Sequence, residues 1–305
     1  MIEKYREYQY NTMVIQEAEG RKVWTMYILY QRLATLINGE DADTTEYHIA
    51  SVMMENMDHI VENSIGETAK LCNVSKSTIS KFVRGLGFED YTDFKWAAMG
   101  EKKKEIYTKD GSTINITDFI CQNGVNTYMD VLARDIRHLF EGADFRKIDA
   151  LVRDIHEYKK VAAFGEVYSE TAALNFQYKM SLYRKFVYTT IDDMKQTRYI
   201  ENAEEDTVLV IFSNSGRYIN VYSRLEGCPK KTCFDKTKAK VVLVTSNEKM
   251  RDDPRVDDCL ILDYSDKVQN HPILYQLLIE QIALRYQQIY GFPQENTTEE
   301  TEIKR

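Results

Sequence analysis

Five short apolar runs in the second half of the chain narrow the folding options more than any other feature. They are Val161-Ala162-Ala163-Phe164, Phe186-Val187-Tyr188, Val208 to Phe212, Val241 to Val244 and Leu260-Ile261-Leu262. Each is apolar at consecutive positions, and polar residues or glycine bound each one. A strand apolar on both sides must be covered on both faces. Stretches with helical spacing separate the runs, which predicts parallel strands joined by crossover helices. The last helix is expected from about Pro272 to Tyr290.

The first hundred residues carry no such runs and read as all-α. Val23, Tyr27, Ile28, Leu29, Leu33, Leu36 and Ile37 recur at helical spacing until Asn38-Gly39. A second helix starts at Thr44 or Thr45, with an apolar stripe of Ile49, Val52, Met53, Met57, Ile60 and Val61. Residues 64–87 then read SIGETAKLCNVSKSTISKFVRGLG. Ser64 and Glu67 form a capping-box pair that starts a helix. Ala69 is small enough for two helices to cross. Asn73 tolerates a left-handed turn, Val74 plugs the core beneath it, and Ser75 caps a second helix. On that helix Ile79, Phe82, Val83 and Leu86 form one apolar stripe. The other face offers Lys76, Ser77, Thr78, Ser80, Lys81 and Arg84. Short hydroxyls permit close approach to base edges, and the cations can meet phosphate or guanine. Thr68 to Phe88 holds no acidic residue, although the chain carries a net charge of −8. The pattern is that of a helix-turn-helix reading a major groove; a plain helical hairpin with a solvated face is the bland alternative.

This stretch, continued through FEDYTDFKWAAM, resembles the N-terminal domain of the RpiR/MurR family of transcription regulators. The likeness is carried by the Val-Ser turn, by Thr78, Ser80 and Phe82, by the ending Leu86-Gly87-Phe88, and by Tyr91, Phe94 and Lys95. Two positions depart from the family: Asn73 stands where glycine is usual, and Thr68 where a larger aliphatic is usual.

In the second half, the first apolar run ends in Gly165-Glu166-Val167-Tyr168-Ser169, the third in Ser213-Asn214-Ser215-Gly216 and the fourth in Thr245-Ser246-Asn247. Hydroxyls at the carboxyl ends of parallel strands suit an anion such as phosphate. This half is similar to the SIS (sugar-isomerase) domains of isomerases and RpiR-type regulators. That resemblance implies a five-stranded parallel sheet, dimerisation, and a phosphosugar-like effector held by Ser169, Ser213, Ser215, Gly216, Thr245 and Ser246. Again there are departures. Val167 and Glu170 replace glycines, Glu166 and Glu170 would repel phosphate if they faced it, and Tyr218 replaces a threonine. The stretch EGCPKKTCFDKTK is longer than a simple connection needs. A changed ligand or a lost site therefore stay open beside a phosphosugar.

The resulting division is a helix-turn-helix domain over 1–105, a linker over 106–119, a SIS domain over 120–292 and a flexible tail over 293–305. Four prolines and thirteen glycines exclude fibrous and disordered classes. No apolar run approaches the roughly 18 residues of a membrane span, and the N-terminus has no signal-peptide core. A cytoplasmic location is expected. Five scattered cysteines make no disulfide framework, and Cys228 with Cys233 lacks the second pair of a zinc site. No metal or cofactor is expected. Lys102 to Lys104 could touch a DNA backbone, though a solvated linker is the simpler reading. The expected partners are a palindromic double-stranded operator, the effector, and further copies of the chain as homodimer or homotetramer. Two rivals remain. One is a sugar-phosphate isomerase or lyase with a helical appendage, for which His271 and Glu170 would be the acid–base groups. The other is a partner-binding protein that has lost both ligands.

Overall fold

A computed structural model describes residues 23–99, 115–142, 144–222, 230–264 and 268–291. Lys102 to Lys104, Cys228, residues 106–114 of the expected linker and the tail 293–305 lie outside them. The described residues fall into two compact units, 23–99 in the first and 115–142, 144–222, 230–264 and 268–291 in the second.

The first unit holds α1 (Val23–Gly39), α2 (Thr45–Glu55), α3 (Met57–Glu62), α4 (Ile65–Leu71), α5 (Lys76–Gly85) and α6 (Tyr91–Met99). Thr44 caps α2 through its side chain, as expected. The stripe from Ile49 to Val61 is not one helix, however. Asn56 breaks it, because its side-chain amide donates to the Val52 carbonyl at 2.8 Å and competes with the helix ladder. The stripe still packs, since Ile49, Met53, Met57 and Ile60 are all buried. They share one core with Leu29, Leu33, Ile79, Phe82, Val83, Leu86 and Phe94.

The second unit opens with α7 (Ile116–Asn123), which starts within the stretch assigned to the linker and is capped by Asn115. Then come α8 (Val125–Glu141) and α9 (Phe145–Glu157). The sheet follows: β1 (Lys160–Gly165), α10 (Tyr168–Ser181), β2 (Val187–Tyr188), α11 (Asp193–Glu201), β3 (Thr207–Phe212), α12 (Arg217–Asn220), β4 (Lys240–Thr245), β5 (Asp258–Ile261) and α13 (His271–Tyr290). All pairings are parallel, in the order β2-β1-β3-β4-β5. Each expected apolar run contributes to a strand, though Phe186 precedes the two-residue β2 and is exposed, and Leu262 follows β5. β3 is buried along its whole length. Its Val208, Val210 and Phe212 join the core under α9, α10 and α13, while Leu209 and Ile211 join the one under α11 and α12. Two covered faces explain why the run has no alternation.

Candidate functional site

The first candidate site is α5. Ser64 caps α4 by accepting from the Glu67 amide at 3.4 Å. The capping box is half formed, because the Glu67 carboxylate pairs with Lys70 instead. The turn between α4 and α5 runs through Asn73 at φ 53°, the left-handed conformation expected of it. Thr68, inside α4, is fully buried and its hydroxyl lies 2.6 Å from that of Tyr91, so the departure from an aliphatic is offset by a polar partner. Ser75 accepts from the Thr78 amide at 3.1 Å. Its hydroxyl also sits 2.7 Å from Ser77 Oγ and 2.8 Å from Thr78 Oγ1. Three hydroxyls are thus oriented together at the start of the helix. Replacing Ser75 by Ala is expected to destabilise the first unit by about 1 kcal/mol, the usual worth of an N-cap. Thermal melts of the fragment 1–111 check this, and an unchanged midpoint would show that the cap is redundant.

Ile79, Phe82 and Val83 bury the back of α5. Lys76, Ser77, Lys81 and Arg84 are exposed on its front, with Thr78 and Ser80 half-buried. Lys76 differs from the others: its side chain crosses Gly66, where a Cβ would stand 2.8 Å from Lys76 Cε. The buried Arg32 on α1 donates to the Leu86 carbonyl at the far end of α5.

The second candidate site is the crevice beyond the carboxyl ends of β1 and β3, where the strand order reverses and where open α/β sheets take their ligands. The expected hydroxyls gather around it but divide into two kinds. Ser213 Oγ accepts from the Tyr218 amide at 3.2 Å, and Ser215 Oγ accepts from the Arg217 amide at 3.4 Å. Both keep a proton that can be donated to an anion. Thr245 Oγ1 and Ser246 Oγ instead donate to the Asn214 carbonyl at 2.8 and 3.0 Å. Those two hold the loop in shape, which leaves their protons committed. Ser169 is buried against β1, so close that a Cβ on Gly165 would stand 2.6 Å from its own. Gly216 adopts φ 77° with Met250 against it, so any side chain there would be both strained and clashing.

The departures also have their places. Val167 sits at φ 58°, ψ −117°, a conformation usual only for glycine. Such strain costs about 1–3 kcal/mol. Val167→Gly is expected to stabilise the second unit by about 1 kcal/mol after the entropic cost of glycine is subtracted. Urea denaturation of the variant checks the sign, and a loss of stability would show that the valine side chain outweighs the strain. Tyr218 turns away from the crevice. Its hydroxyl donates to Gln196 Oε1 at 2.5 Å, and Gln196 Nε2 donates to the Gly165 carbonyl at 3.2 Å and to the Thr190 carbonyl at 2.6 Å. Burial pushes the Tyr218 phenol well above its usual range. Glu166 is met by Lys231, whose ammonium lies 3.5 Å from the carboxylate and 3.4 Å from the centre of the Tyr218 ring. Burial lowers the Lys231 pKa and Glu166 opposes that shift.

Comparison with known proteins assigns the first of these sites to a family. A model described as the helix-turn-helix domain of the rpiR family matches residues 33–105. This segment is an RpiR-family helix-turn-helix domain. Over 212 residues the chain is 24% identical to an uncharacterised HTH-type transcriptional regulator of Providencia stuartii, covering 68% of this chain and 73% of that one. It is 24% identical over 188 residues to the HTH-type transcriptional regulator HexR of Escherichia coli, covering 60% of this chain and 62%, under two thirds, of HexR. Among solved structures, the Vibrio vulnificus NanR protein complexed with ManNAc-6P is 13% identical with a TM-score of 0.46, covering 86% of this chain and 92% of that one. The sugar isomerase domain of an RpiR transcription factor from Sphaerobacter thermophilus is 14% identical with a TM-score of 0.39, covering 52% and 91%.

Besides the RpiR domain, the structure shows residues that the pattern did not single out. Arg32, Gln196 and Lys231 are buried polar groups whose partners are remote in sequence. Lys231 had one visible signal, the unexpected length of the stretch that carries it. Of the groups considered for an isomerase, His271 is buried beside the rings of Tyr168 and Tyr275. Cys233 is buried, and burial pushes its thiol up to about 11. Among the described residues no cluster of three His, Cys, Asp or Glu side chains could hold a metal, and no helix is long and apolar enough to cross a membrane.

Proposed function

We propose that the chain is a sequence-specific DNA-binding transcription regulator whose α/β unit senses a phosphorylated sugar or related metabolite. The observation that carries the DNA-binding half is the front of α5. Lys81 and Arg84 stand exposed on a helix that opens with a preset hydroxyl cluster, whose back is buried and whose segment matches a helix-turn-helix family. The relatives named as HTH-type transcriptional regulators support the same reading. The effector half is supported by Ser213 and Ser215, which hold donatable protons at the point where the sheet order reverses.

One reading helix covers only a few base pairs. Two related by a twofold axis would double the contact on a palindrome. A homodimer or homotetramer assembled through the α/β unit, and a cytoplasmic location, belong to this proposal. Selection from random DNA duplexes tests its first half. One enriched sequence, with dyad symmetry, is the expected result; no enrichment at low salt would count against DNA recognition.

The effector half is tested by thermal shift against a panel of sugar phosphates. A ligand at about 100 times its Kd stabilises the folded state by about 2.7 kcal/mol. Ser213→Ala/Ser215→Ala is expected to lose that shift at the cost of a modestly lower melting temperature of its own, because Ser215 is exposed but Ser213 is buried and accepts from the Tyr218 amide. The same variant should bind operator yet ignore effector, since coupling requires unequal ligand affinity for the two states of the regulator. Full regulation retained by this variant would place the effector elsewhere.

A further inference from the structure

The crevice holds a contradiction that the hydroxyls do not resolve. Gly165 on β1 is in register with Phe212 on β3, so Glu166 and Ser213 are the next residues on two adjacent parallel strands. Paired strands run about 4.8 Å apart, so the two loops leave the sheet side by side. A carboxylate therefore stands beside the loop expected to take a phosphate. Its side chain is 10% exposed, so water screens it poorly.

Lys231 answers that charge. It is buried, its ammonium is 3.5 Å from the Glu166 carboxylate, and the Tyr218 and Tyr222 rings lie 3.4 and 5.1 Å from it. The position is fixed from three directions. The Lys231 amide donates to the Asn220 carbonyl at 2.8 Å, and Lys230 pairs with Val221 in an antiparallel bridge. Tyr218 is anchored through Gln196 to the end of β1 and through its amide to Ser213. One network thus joins the carboxylate, the ammonium and the serine loop.

We propose that Lys231 is a positioning and specificity-determining residue. It neutralises Glu166 and draws that carboxylate away from the crevice, so that a ligand bearing phosphate can enter. This rests on the phosphosugar reading above. It explains how a chain with an acidic residue at the first strand end keeps a site of that class, and it gives the long stretch after α12 a purpose.

The test is calorimetric titration of the full-length chain with inorganic phosphate at fixed ionic strength, comparing wild type with Glu166→Gln, Lys231→Met and the double variant. Lys231→Met leaves a bare carboxylate and is expected to weaken phosphate by at least about tenfold, whereas Glu166→Gln frees a cation and should tighten it by a similar factor. The double variant should return to within about threefold of wild type, which a merely structural lesion would not do. A folded Lys231→Met with wild-type affinity, or a double variant no tighter than Lys231→Met, overturns the assignment. Should Lys231→Met not fold, Glu166→Gln decides alone, and unchanged affinity overturns it. A wild type blind to phosphate beside a Glu166→Gln that binds it would keep the charge pair's role and refute the phosphosugar reading. If both are blind, both ideas fall.

Discussion

Replacing Lys81 and Arg84 together by Ala is expected to weaken operator binding by roughly a hundredfold, with no loss of thermal stability. Both side chains are exposed on the front of α5, so their removal leaves no cavity. A hydrogen bond to a charged group is worth about 1.5–3 kcal/mol, and two exposed ones at the low end of that range amount to about 3 kcal/mol or a factor of about a hundred. If both contacts are to phosphate, the slope of log affinity against log salt should flatten by about 2, since each contact releases close to one counterion. A guanine contact made by Arg84 would instead flatten the slope less and relax the preference at one base pair. Lys76 is expected to contribute less than either, because its side chain lies across Gly66. Anisotropy titrations at several salt concentrations separate these cases. Unchanged affinity in the double variant would remove α5 from the DNA interface.

Much of this architecture is legible in the sequence. The apolar runs mark the strands because a parallel sheet covered on both faces demands apolar residues at every position, as central β3 shows, whereas the edge run loses exposed Phe186. Asn73 and Ser75 mark the turn and the cap of α5 because few other residues do those local jobs. The break at Asn56 was hidden, since an apolar stripe continues in phase across it and only a side-chain hydrogen bond ends the helix. In the crevice the hydroxyl types were readable but their directions were not. Thr245 and Ser246 look like phosphate donors until their protons are found on the Asn214 carbonyl. The pairing of Glu166 with Lys231 was beyond reach, because nothing local tells a lysine in one loop that its counterion lies at the end of another strand. Sequence pattern reports what a residue does to its own backbone. The burial of one charge by another depends on the finished fold.

The same dependence on burial is expected to make the second unit acid-sensitive, with His271 the first group to act as pH falls. His271 opens α13, is 9% exposed, and its Nδ1 has no hydrogen-bond partner. Burial lowers its pKa from 6.5 to about 4. The folded state therefore keeps the ring neutral, while the unfolded chain takes up a proton below pH 6.5. Above pH 6.5 neither state is charged and the residue costs nothing. As pH falls from 6.5 towards 4 the unfolded state gains the proton alone, and stability is lost by about 3 kcal/mol in all. Below pH 4 both states are protonated and the loss levels off. Asp149 and Asp253 are held low by Arg285 and Arg255, and their contributions fade at still lower pH, but they do so in any variant. His271→Asn removes the titrating ring alone. Urea denaturation at pH 7 and pH 4.5 should show wild type losing about 2–3 kcal/mol more than this variant over the interval. Equal losses in the two proteins would mean that the ring finds water or a counterion when it is charged, and that its burial does not govern the acid limb of stability.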